Sequence, residues 1–79
     1  MDVVLTIGDK VYNTDNVTFE NSDRATYFQV IVHNVRDFSK LQAGTQYELK
    51  INNEVVAAGN LSVFTKSVMQ NDIVYRIFI

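Results

Sequence analysis

Turn-forming clusters punctuate this chain too often for anything longer than a short strand. Gly8-Asp9, the Asx-rich run 13–23, Gly44, Asn52-Asn53, Gly59-Asn60 and Gln70-Asn71-Asp72 separate segments rich in β-branched and aromatic residues. Breaks at intervals of about eight to twelve residues are the mark of a sandwich or barrel of short antiparallel strands. With 79 residues there is room for one such domain, 1–79. The expected fold is therefore all-β: a small antiparallel sandwich, or a partly open barrel, of five to six strands.

Alternation within each segment assigns faces. DVVLTI and KVYN flank Gly8-Asp9, where a glycine at the first central position suits a type II′ hairpin turn. The run 13–23 reads as a loop with a brief strand around Val17–Phe19. In RATYFQVIVHNV, Phe28, Val30 and Val32 share one face, with Tyr27 and Ile31 on the other beside Gln29 and His33. Apolar groups on both faces mark a central strand. Asp37 is placed to cap one helical turn near 37–42, with Phe38 and Leu41 packed inward and Gly44 ending it.

The second half is more regular. Tyr47, Leu49 and Ile51 point inward from one strand, and a two-residue turn at Asn52-Asn53 sets Leu49 opposite Val56 and Tyr47 opposite Ala58. The next inward pair, Leu61 and Val63, has the opposite parity. One extra residue must be absorbed, and Gly59-Asn60 is the expected bulge. Ser62, Phe64 and Lys66 then point outward. In the last strand Ile73, Tyr75, Ile77 and Ile79 form the inner set, and Val74, Arg76 and Phe78 the outer one.

The segment from Leu41 through Gly44, Thr45, Tyr47 and Leu49 to Ile51 resembles the tyrosine-corner signature of fibronectin type III and related sandwiches. The resemblance covers eleven residues and lacks that family's proline before the glycine and its core tryptophan. It implies a sandwich-like corner in which Tyr47 is buried with its hydroxyl bonded to nearby protein.

Chemistry is constrained by what is missing. Without cysteine there are no disulfides, thiolate nucleophiles or zinc-ribbon sites, and one histidine cannot assemble a histidine metal site. Only three glycines occur, and no phosphate loop, dinucleotide fingerprint or nucleophile elbow is formed. His33 reads as a half-exposed strand residue, and the nine acidic residues are dispersed. Asp15, Glu20 and Asp23 have turn chemistry rather than the spacing of a calcium loop. Asn16-Val-Thr18 and Asn60-Leu-Ser62 match the glycosylation pattern but accompany no secretion signal. No enzyme activity, cofactor, metal or small-molecule substrate is expected.

A net charge of −2 with scattered basic residues disfavours duplex nucleic acid. No apolar run reaches membrane-spanning length, and the expected location is the cytoplasm, that of a host cell or the virion if the chain is phage-encoded. The remaining signal is the outer face of the C-terminal hairpin. Phe64, Lys66, Val74, Arg76 and Phe78 form the candidate partner-binding set, with adjacent aromatics and an apolar final strand that natural proteins cover or pair. The expected function is a protein-binding or self-assembling module, of a kind that suits a phage or mobile-element accessory or structural protein. The alternative is a small barrel of OB or SH3-like type that binds single-stranded nucleic acid by stacking bases on Tyr27, Phe64 and Phe78 beside Lys66 and Arg76.

Overall fold

The computed structural model describes every residue, Met1–Ile79. Eight antiparallel strands form two four-stranded sheets: β1 (Val3–Ile7), β2 (Lys10–Thr14), β3 (Asn16–Asn21), β4 (Thr26–His33), β5 (Gln46–Ile51), β6 (Glu54–Asn60), β7 (Phe64–Met69) and β8 (Asp72–Phe78). The first sheet has the order β2-β1-β5-β6 and the second β3-β4-β8-β7. There is no helix. The all-β expectation holds, with eight strands in place of five to six.

The difference in count has a physical source. β2 passes through the single residue Asp15 into β3 of the other sheet, and β6 passes through Leu61–Val63 into β7. Strands that switch sheets at bends make the corners of such sandwiches. At the first corner the Thr14 hydroxyl donates to the Ile31 carbonyl at 2.5 Å. The polar run 13–23, expected as a loop with a brief strand, contains the end of β2 and the six-residue strand β3.

Turn residues act where backbone geometry requires them. Gly8 has φ +61° between β1 and β2, while Asp9 is not left-handed, the pattern of a II′ hairpin. Asn52 and Asn53 are both left-handed, at φ 51° and 70°, as a type I′ turn demands. They place Ile51 opposite Glu54. The extra residue on β6 is Val56, not Gly59: Lys50 pairs with Val55, but Leu49 pairs with Ala57. Ala57 therefore faces inward and Val56 and Ala58 outward, reversing their expected sides. With the bulge at Val56, Ala57, Gly59 and Leu61 share one parity, and Leu61 is buried. Parity along the chain requires one extra residue here but does not specify which residue it is.

The core is a layer of thirteen buried apolar side chains supplied by both sheets, including Leu5, Phe28, Val30, Leu49, Ile73, Tyr75 and Ile77. Two aromatic pairs join the sheets across it. Phe28 of β4 lies 5.9 Å from Tyr47 of β5, and Tyr12 of β2 lies 5.1 Å from Tyr75 of β8, centroid to centroid. β4 sits between β3 and β8, as its two-sided apolar pattern predicts. Ile79 lies beyond the end of β8 and is exposed, so it is not part of the inner set.

Tyr47 is buried as the corner resemblance implies, but its hydroxyl has no protein hydrogen-bond partner. The ring packs over Gly59, where an added Cβ would stand 3.5 Å from the hydroxyl oxygen. The corner is thus a packing device without its hydrogen bond. Tyr47→Phe is expected to leave the thermal midpoint unchanged in a melting experiment. A loss of several degrees would mean that the hydroxyl is bonded after all.

Candidate interaction surface

The hairpin β7–β8 carries the five residues selected from the sequence, and the ladder divides them. Phe64 pairs with Ile77 and Lys66 with Tyr75, so both point toward the core side with their buried partners. Phe64 packs against the core, and the Lys66 side chain is only 8% exposed. The outward assignment of these two residues is corrected, and so is the inward assignment of Val63, which is exposed. Alternation cannot be carried through the bend at Ser62-Val63, where the chain changes sheets and the face count restarts.

Val74, Arg76 and Phe78 do share the outer face of β8. Their neighbours come from β4: Tyr27 opposite Phe78, Gln29 opposite Arg76 and Ile31 opposite Val74. The Tyr27 and Phe78 rings stand 5.0 Å apart at 49°. The Arg76 guanidinium lies over the Tyr27 ring at 4.9 Å, within cation–π reach, and donates to Gln29 Oε1 at 2.8 Å. Arg76 Nε is buried without a hydrogen-bond partner. No further strand or helix lies over this face. The side chains are half-buried by one another and by Thr65 and Ser67 of β7.

Lys66 belongs to a different structure. The segment 34–45 between β4 and β5 forms an irregular strap rather than a helical turn, and Phe38 projects into solvent at 73% exposure. Asp37 does not cap a helix. Its Oδ1 accepts from the Ser39 amide at 2.9 Å and hydroxyl at 2.5 Å, and its Oδ2 accepts from Lys10 Nζ at 2.6 Å and the Tyr12 hydroxyl at 2.9 Å. Lys66 Nζ lies 3.5 Å from Asp37 Oδ1 and donates to the Ser39 carbonyl at 2.6 Å. One carboxylate thus fastens the strap to β2 of one sheet and β7 of the other. The Lys10 ammonium first, then the two Ser39 bonds, hold the Asp37 carboxyl far below the usual carboxylate range. Burial, then Tyr75 and Asp37, push the Tyr12 phenol above its ordinary range, and burial does the same to Tyr75. The buried Tyr75 hydroxyl faces Tyr12 without meeting hydrogen-bond geometry.

His33 is exposed at the end of β4, with Nδ1 3.0 Å from Asp72 Oδ1. No three His, Asp or Glu side chains converge as metal ligands. No helix is long and apolar enough to cross a membrane.

No protein-family model matches the chain, and no curated protein is significantly similar to it in sequence. Among solved structures it resembles the prophage MuSo2 43 kDa tail protein from Shewanella oneidensis, with a TM-score of 0.58 and 17% identity. The likeness is one of fold. It takes in 99% of this chain but only 26% of the tail protein, so the chain spans about a quarter of that protein's length. Sequence reasoning missed Tyr27 as the partner of Phe78. Its outward parity was legible, but the β4–β8 pairing that joins them spans about fifty residues of chain.

Proposed function

We propose that the chain is a non-enzymatic module that works by binding protein, itself or another chain, as a structural part of a phage tail or a related assembly within the host cell or virion. One observation carries the reading: Tyr27, Ile31, Val74 and Phe78 surround Arg76 on a sheet face that no other strand or helix covers. Aromatic and arginine side chains grouped this way supply most of the energy in protein contacts. The fold likeness to a prophage tail protein supports the setting. The nucleic-acid alternative is weakened because Phe64 and Lys66 turn away from this face, leaving Arg76 as the cation beside its two aromatic rings.

Sedimentation at micromolar concentration tests the reading. The protein is expected to run as a dimer or larger species, and Tyr27→Ser/Phe78→Ser as a folded monomer. The loss should be about 2 kcal/mol or more, the usual scale for central contact residues. A wild-type monomer that binds single-stranded oligonucleotide in a salt-sensitive way would replace this reading with the nucleic-acid one. A double variant that unfolds would show the rings to be core.

A further inference from the structure

β7 is the outermost strand of its sheet and pairs only with β8. The Phe78 amide donates to the Val63 carbonyl at 3.0 Å, which fixes the alternation of the ladder. Thr65, Ser67 and Met69 turn their backbone groups toward β8, whereas Phe64, Lys66 and Val68 turn theirs outward. No backbone hydrogen bond from the strap reaches them. Two of the other three edges, β6 and β3, are guarded differently. β6 is broken by the bulge at Val56, and β3 carries Glu20 on its outer face. β7 has a regular ladder, and its outward side chains, Thr65, Ser67 and Met69, are uncharged.

A hollow flanks this edge on each side. On the core side, about 320 Å³ is bounded by Phe38, Leu41, Phe64 and Val68 with Lys40 and Lys66. On the outer side, about 460 Å³ is bounded by Thr65, Ser67, Met69, Val74 and Arg76 with Gln29. Successive side chains of a strand added to β7 would fall into these hollows in turn. Neither lining contains a carboxylate, although the chain as a whole is acidic. Asp37 answers Lys66, but Lys40 and Arg76 form no ion pair.

We infer that the β7 edge binds an extended acidic peptide strand, with apolar side chains entering the inner hollow and carboxylates meeting Arg76 in the outer one. A second copy of the chain is a poor occupant. Its edge strands β2 and β7 contain no acidic residue, and β3 and β6 contain one each. The inference rests on the idea that the module binds protein and shares Arg76 and Val74 with the Tyr27–Phe78 face, but it assigns the contact to the open backbone edge of β7.

The test is a titration with an end-blocked heptapeptide alternating valine and glutamate, read by amide hydrogen exchange and chemical shift. The amides of Phe64, Lys66 and Val68 should slow by at least about tenfold at saturation. Val68→Pro removes one outward donor while sparing the ladder to β8, and should abolish that protection. Arg76→Gln, which leaves the β7 backbone untouched, should weaken binding by about tenfold. Phe78→Ser, which spares the Tyr27 ring beneath Arg76, should bind the peptide as the wild type does, which separates this edge from the outer face. Protection on another strand, equal binding of a valine–lysine peptide, or no binding at millimolar peptide would overturn the inference. So would protection of the same three amides on raising the protein concentration alone, since a second copy would then be the occupant.

Discussion

Replacing Asp37 with asparagine should lower the unfolding free energy by about 2–3 kcal/mol in a denaturant titration. The carboxylate is where Lys10, Tyr12, Ser39 and Lys66 meet, and it is 17% exposed. Its removal leaves the enclosed Lys66 ammonium with the Ser39 carbonyl and the Tyr75 ring but no counter-charge. A charge left without its partner in an enclosed site costs more than the pair contributed. Adding Lys66→Met to Asp37→Asn should therefore recover part of the loss. The same carboxyl sets an acid dependence. Its folded-state pKa is depressed, so its contribution is fully present above the unfolded value of about 4 and declines as pH falls below that. Asp37→Asn should flatten the fall in stability below about pH 4. A loss under about 0.5 kcal/mol, the range of ordinary surface changes, would mean that the strap is not fastened here.

Phe28→Ala should cost about 3–5 kcal/mol, the range for emptying a buried aromatic site. Phe28 is fully buried, and its ring meets Tyr47 of the opposite sheet at 5.9 Å and Phe19 of its own sheet at 6.3 Å. A chain of this size has roughly 4–12 kcal/mol in total, so the variant should be largely unfolded or melt far below the wild type. Phe28→Leu keeps most of the volume and should cost no more than about 1.5 kcal/mol. A Phe28→Ala protein with an unchanged midpoint in calorimetry would show that this ring does not hold the sheets together.

What was legible in the sequence is what depends on neighbours a few residues apart. Alternation assigned the faces of the 26–33, 46–51 and 72–78 strands, and Val74, Arg76 and Phe78 lie on one face as expected. The Gly8-Asp9 and Asn52-Asn53 turns were legible because left-handed backbone requires glycine or asparagine there. The need for one extra residue between Leu49 and Leu61 was legible too.

Long-range pairing decided the rest. The bulge settled on Val56 because both that placement and Gly59-Asn60 restore parity for Leu61, and the contact of Gly59 with the Tyr47 ring favours the former. Phe64 and Lys66 turned inward because the chain changes sheets at Ser62-Val63, and a face count does not survive a corner. Lys66 tolerates that side because Asp37, twenty-nine residues earlier in the chain, supplies the opposite charge, and the Tyr75 ring lies 5.7 Å from its ammonium. Periodicity along the chain records which side a residue faces within its own strand; only the packing of one sheet on the other determines what it meets there.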